Sequence, residues 1–132
     1  MIIEHIGIAV ESLAEAVRTY QDCLGLTVSG YDEVEGQNVR VAMLPMGESR
    51  IELLEPTSPE SPVAKFMNKR GQGIHHLAIR VDNIEESLEQ MKNGGARLID
   101  QTPRQGAGNT RVAFVHPSSM NGVLLELVEH GK

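Results

Sequence analysis

Residues 2–10 alternate as a strand does, with Ile6, Ile8 and Val10 on one face and His5, Gly7 and Ala9 on the other. The period then changes. Leu13, Ala16, Val17, Tyr20 and Leu24 recur at helical spacing, Ser12 stands at the N-cap position with Glu15 three residues on, and Gly25 stands where a helix stops. Strand-like stretches follow at about 26–33, 38–45 and 49–55, parted by polar turns around Glu35-Gly36 and Gly47-Glu48. This order is βαβββ, and it recurs. A strand at about 74–81 leads to Asn83 as N-cap with Glu86 in the capping-box position, then a helix on Ile84, Leu88 and Met91 up to Gly94-Gly95. Strands at about 97–101, 110–116 and 122–129 complete the second copy. Between the copies, Thr57 to Pro62 is turn-rich and Val63 to Arg70 predicts a short helix ended by Gly71 and Gly73. The expected fold is therefore α+β. Residues 1–132 form a single domain of two tandem βαβββ modules (about 1–56 and 74–132, joined by 57–73) that make a curved, partly closed mixed sheet.

The repeat extends to the residues able to do chemistry. His5-Ile6-Gly7-Ile8-Ala9-Val10 is matched by His76-Leu77-Ala78-Ile79-Arg80-Val81, and Ile51-Glu52-Leu53-Leu54-Glu55 by Leu125-Glu126-Leu127-Val128-Glu129. The residues sharing each histidine's face are small, Gly7 and Ala9 in the first copy and Ala78 in the second, which leaves space beside the imidazole. Glu52 and Glu126 interrupt apolar runs, and a carboxylate on a buried face is costly unless it is paired or binds a metal. If the modules pack about a pseudo-twofold axis, His5, Glu52, His76 and Glu126 converge. Such N/O ligation suits a divalent ion: Co²⁺, Mn²⁺, Ni²⁺ or Zn²⁺, with positions left open for substrate or water. Against this stands the plainer reading, in which a lone strand histidine is merely hydrogen-bonded and a lone glutamate faces solvent, as is expected for Glu55 and Glu129. The recurrence of both residue types at matched places favours the metal.

The other candidates are weaker. His75 should project to the face opposite His76, His116 precedes Pro117 and reads as a loop-positioning residue, and His130 lies near a terminus expected to fray. Cys23 reads as a small core residue on the first helix, and the methionines as core or pocket filler. Gly106-Ala107-Gly108-Asn109 could present successive amides to a carboxylate or phosphate, with Arg104 and Arg111 beside it, or could be a plain turn.

Composition narrows the class. The chain has 132 residues, 40% hydrophobic but with no Trp and only two Tyr and two Phe, so aliphatics must fill the core. A formal charge of −6 argues against nucleic-acid binding, which needs clustered Lys and Arg. No apolar run approaches the roughly 18–20 residues of a membrane span. The first residues lead directly into a strand, so no signal peptide is expected, and a lone cysteine suits a reducing, cytoplasmic setting.

The paired βαβββ repeat, with His on each first strand and Glu on each last, resembles the vicinal oxygen chelate superfamily with its glyoxalase-like fold. Within it, the chain is similar to the methylmalonyl-CoA epimerase family over essentially its full length. The similar segments are His5 to Val10, Ile51 to Pro56, Ser61-Pro-Val-Ala-Lys-Phe66, Gly73 to Asn83, Val115-His-Pro117 and Gly122 to Glu126. The resemblance implies interconversion of (R)- and (S)-methylmalonyl-CoA. It also implies an ion held by His5, His76 and Glu126 with Glu52 as a more variable fourth ligand, an acyl-CoA partner and a homodimer. It makes Glu126 one proton carrier. It sets Arg40 where one branch has a second glutamate; an arginine is no base at neutral pH. Glu52, Gln37 with an ordered water, or a metal-bound water then remain for the second face. Rival readings are a lactoylglutathione lyase on the same framework, an extradiol dioxygenase, or a metal-free small-molecule-binding module. The segment from Ser61 to Arg70 and His116-Pro117 count against the lyase, and the intact His5, His76 and Glu126 against the binding module.

Overall fold

The computed structural model describes residues 1–131, which divide into two compact units, residues 5–75 and residues 1–4 with 76 onward. In the first unit, β1 (Ile2–Ala9, from His5 on), α1 (Leu13–Leu24), β2 (Gly30–Val34), a 3₁₀ turn (Glu35–Gln37), β3 (Val39–Met46), β4 (Ser49–Pro56) and α2 (Pro62–Arg70) follow in order. Their strands lie in the order β2-β3-β4-β1, with β1 parallel to β4 and the others antiparallel. Strand alternation divides the side chains between two helices. Val10, Ala42, Leu44, Ile51 and Leu53 pack under Leu13 and Val17 of α1. Ala9, Val39, Val41 and Leu54 pack under Val63, Phe66 and Met67 of α2.

The second unit repeats the plan. It holds β5 (Gly73–Arg80, from His76 on), α3 (Ile84–Asn93), β6 (Arg104–Gln105), β7 (Thr110–Val115), a 3₁₀ turn (Pro117–Ser119) and β8 (Leu125–His130). The strand order is β5-β8-β7-β6, with β5 parallel to β8 and both other pairs antiparallel. Ile84 and Leu88 of α3 cover Val81, Ala113, Val115, Leu125 and Leu127, while Ala78, Val112 and Val128 cluster on the other face.

Both helices start as the sequence indicates. The Ser12 hydroxyl accepts from the Glu15 amide at 3.2 Å, and the Asn83 side chain from Glu86 at 3.0 Å. Gly25, at φ 78°, ends α1 in the left-handed conformation that a side chain resists. A second cap was not anticipated. Glu55 and Glu129 are half-buried rather than rim residues. Glu55 Oε1 accepts the Leu13 amide and Glu129 Oε2 the Ile84 amide, each at 3.0 Å. A carboxylate there satisfies a helix's first amides and complements its dipole.

Other boundaries move. Of the strand expected at 97–101 only a Leu98–Val115 bridge forms. The Ile99 and Asp100 amides both turn to the Phe114 carbonyl, and the Asp100 carboxylate accepts the Phe114 amide at 2.8 Å, so side-chain bonding replaces a regular ladder. β8 begins at Leu125 rather than 122, because Asn121 and Gly122 take positive φ to close the preceding turn. Residues 26–29 precede β2; Leu26 and Val28 instead pack against the α1 cluster. Cys23 is exposed, not a core residue, since the buried stripe of α1 ends near Tyr20 and its last turn faces solvent.

Candidate active site

Each unit carries one buried His–Glu pair beside a small residue. In the first, β1 and β4 run parallel with Gly7 opposite Glu52, so the glycine opens room in front of the carboxylate. His5 Nδ1 lies 3.4 Å from Glu52 Oε2, and both residues are 4% exposed. In the second, Ala78 stands opposite Glu126 across β5 and β8, His76 Nε2 lies 3.1 Å from Glu126 Oε1, and both are 6% exposed. The Phe114 ring, opposite Glu126 on β7, meets the His76 imidazole edge to face at 5.7 Å and fixes its plane.

These separations fit metal ligation. Two donors each about 2.1 Å from one ion, at a right angle, stand about 3.0 Å apart. Imidazole nitrogen with carboxylate oxygen, held by burial in a single orientation, is the donor chemistry of a borderline to hard divalent ion. The four ligands expected from the sequence are thus two ready pairs, His5 with Glu52 and His76 with Glu126.

The remaining candidates sort by their partners. Gly106, Ala107 and Gly108 form the turn from β6 to β7, closed by the Gly106 amide on the Thr110 carbonyl and the Thr110 hydroxyl on the Ala107 carbonyl. Only glycine fits at 106: a Cβ there would sit 2.6 Å from Thr110 Oγ1 and 2.6 Å from Val112 Cγ1. Arg111 is engaged elsewhere, bonded to Glu85 at 2.5 and 2.9 Å and to Glu129 at 2.6 and 3.0 Å. Its guanidinium holds both carboxyls below the usual range, and they in turn raise its own pKa. Arg104 lies over the Phe114 ring at 5.6 Å and reaches Asp100 at 3.6 Å.

Arg40 is excluded from proton transfer by position as well as by chemistry. It pairs with Glu55 and Glu33, one register step from the positions of β3 that share a face with Glu52, namely Val39, Val41 and Met43. None of those three titrates, so β3 places no acid or base on that face. Gln37 lies in the 3₁₀ turn, where its carbonyl accepts the Ser61 hydroxyl.

His75 packs against Phe66 at 5.1 Å, and His116 caps the second 3₁₀ turn by accepting the Ser118 amide. His130 is not frayed. It ends β8 within 2.7 Å of Glu4, whose fully buried carboxylate also takes two bonds from Arg80. Glu4 and Arg50 were both missed in the sequence. Arg50 bonds Glu52 Oε2 through Nε at 2.8 Å and Nη2 at 2.6 Å. Its signal was legible, a cation two residues before Glu52 on the same strand face. Glu4 gave none, because its two partners lie 76 and 126 residues away.

Likeness to known proteins agrees with this geometry. The model of the Glyoxalase/Bleomycin resistance protein/Dioxygenase superfamily matches residues 4–114. The chain is 36% identical over 128 residues to the mitochondrial methylmalonyl-CoA epimerase of Dictyostelium discoideum, covering 96% of this chain and 77% of that protein. The crystal structure of methylmalonyl-CoA epimerase from Mycobacterium tuberculosis superposes with a TM-score of 0.94 at 38% identity, covering 98% and 88% of the two chains. A methylmalonyl-CoA epimerase in complex with methylmalonyl-CoA and NH4+ superposes at 0.95 and 36% identity, covering 98% and 94%. Identity to a lactoylglutathione lyase of Haemophilus influenzae is lower, 27% over 132 residues, covering 98% and 93%. A superfamily match over most of the chain, joined to near full-length epimerase likeness in sequence and fold, means that this chain belongs to the glyoxalase/bleomycin resistance protein/dioxygenase superfamily and, within it, to the methylmalonyl-CoA epimerase family.

Proposed function

We propose that this protein interconverts (R)- and (S)-methylmalonyl-CoA by removing the proton α to the thioester and returning it on the other face. The observation that carries the reading is a buried His–Glu couple in each unit, each with its two donors spaced for ligation of a divalent ion, in a chain of the epimerase family. His5, Glu52, His76 and Glu126 are the proposed ligands, for Co²⁺ first and Mn²⁺, Ni²⁺ or Zn²⁺ otherwise. Bound there, the ion supplies Lewis acidity that stabilises negative charge developing on the thioester and carboxylate oxygens.

The chain's own groups do the rest. Glu126 removes or delivers the α proton on one face, beside the His76 imidazole whose plane the Phe114 edge fixes. Glu52 is the proposed carrier for the other face. Gly7 and Ala78, each opposite one of these glutamates, leave room for the reacting carbon. The Gly106-Ala107-Gly108 turn is the proposed contact for the anionic groups of the acyl-CoA, with the Gly106 amide kept on the Thr110 carbonyl to hold the turn in shape. The working protein is taken to be a cytoplasmic homodimer: the lone cysteine suits a reducing compartment, and the dimer is what the family resemblance implies. Among the described residues, no helix is long and apolar enough to cross a membrane.

The test is substrate choice. Co²⁺-loaded protein given (2S)-methylmalonyl-CoA should yield the (2R) epimer and leave a hemithioacetal of glutathione unchanged. Turnover of the hemithioacetal without epimerisation would transfer the protein to the lyase class.

A further inference from the structure

The two modules differ at one position that matters to the site. Arg50, two residues before Glu52, corresponds in the second module to Leu124, two residues before Glu126. Strand alternation puts Arg50 and Glu52 on one face of β4. The guanidinium donates from both Nε and Nη2 to a single carboxylate oxygen, Oε2, the same oxygen that His5 Nδ1 approaches at 3.4 Å. The Arg50 side chain is 20% exposed and that of Glu52 5%, so the pair is largely withdrawn from water, where a charge-assisted fork is strong. Burial of Glu52 therefore already has a partner within its own strand. The matching place before Glu126 holds Leu124 instead of an arginine.

We propose that Arg50 is a positioning residue: by its fork on Oε2 it fixes the direction in which the Glu52 carboxylate faces the divalent ion. This rests on the reading of Glu52 as a ligand. Ligating carboxylates are commonly held by an outer hydrogen bond, and loss of such a partner weakens metal binding by about 10–100-fold. An arginine does this differently from a lysine, since its planar fork fixes direction as well as charge. The positive charge also repels the ion, so two opposite signs of effect are physically available. The fork geometry favours orientation over repulsion.

Co²⁺ alone is the probe, titrated calorimetrically into the full chain and followed by its visible absorption. Arg50→Gln is expected to weaken binding by about tenfold or more, with Arg50→Lys intermediate. In a Glu52→Gln background the same Arg50→Gln change should alter affinity by less than about twofold, because the group it positions has gone. Equal losses in the two backgrounds would overturn the inference, showing that Arg50 acts through general packing. So would tighter binding by Arg50→Gln, which makes Arg50 a competitor of the ion, or wild-type affinity in both Arg50 variants. A wild-type protein that takes up no Co²⁺ would instead overturn the metal reading itself, which keeps the two failures distinct.

Discussion

Two serines three residues apart should respond oppositely to the loss of a hydroxyl. Ser61 is fully buried, and its Oγ makes two bonds: it accepts the Val63 amide at 3.2 Å, capping α2, and donates to the Gln37 carbonyl at 3.0 Å. Ser61→Ala removes both. Loss of the cap costs about 1 kcal/mol, and the orphaned buried carbonyl about 1–2 kcal/mol more, for a total of about 2–3 kcal/mol. The Ser61 backbone bonds, to the Ser58 carbonyl and from the Lys65 amide, survive the change. Ser58 Oγ is likewise buried but has no hydrogen-bond partner, so Ser58→Ala relieves a desolvated hydroxyl and should lie within about 0.5 kcal/mol of wild type or above it. Urea unfolding of the two variants and wild type, with a common slope, measures the difference. A Ser61→Ala loss below about 1 kcal/mol, or a Ser58→Ala loss of similar size, would refute the assignment of the two hydroxyls. The outcome also bears on Val63, Phe66 and Met67, which α2 lays over the cluster on the Glu52 side of the sheet.

Gly106→Ala should cost about 1–3 kcal/mol through overpacking against Thr110 and Val112 and raise KM for the acyl-CoA, whereas Gly36→Ala, with nothing near its added Cβ, should be close to neutral. His76→Ala should lose metal and activity together, as read by metal content and epimerase assay. His75→Ala should keep both and lose about 1 kcal/mol or less with its Phe66 contact. The Arg111 network gives a pH signature. Glu85 and Glu129 have carboxyl pKa values below their ordinary 4.5, so the stability they confer is full above that value and lost as pH falls through the lowered values. The difference in Tm between wild type and Arg111→Gln should therefore be complete at neutral pH and close progressively below 4.5; a difference unchanged at about pH 2.5 would show that Arg111 acts by packing.

The βαβββ repeat, the helix starts at Ser12 and Asn83 and the His–Glu pairs were legible because each is a local pattern or a recurrence of one. The interleaving of Ile6 and Ile8 with His5, Gly7 and Ala9 already separates the two faces. What escaped depends on partners far along the chain. Glu55 and Glu129 look like solvent-facing strand ends until a helix start, 42 or 45 residues earlier, places its amide over them. Glu4 reads as an edge residue until Arg80 and His130 close on it. The 97–101 segment has strand composition, yet the Asp100 carboxylate competes for the Phe114 amide that a ladder would use. Arg40 lies one register step from the β3 positions that share a face with Glu52, and in a strand a single step exchanges the faces. At Arg50 the alternation alone places a cation on the face of Glu52, two residues away on the same strand.

The central claim, proton exchange at the carbon α to the thioester, is tested most directly by incubating (2S)-methylmalonyl-CoA with Co²⁺-loaded protein in D₂O and following C2 by mass and by stereochemical analysis. Deuterium should appear at C2 together with loss of stereochemical purity, and both should be abolished in Glu126→Gln. Retention of protium and of a single epimer by the metal-loaded wild type would contradict it.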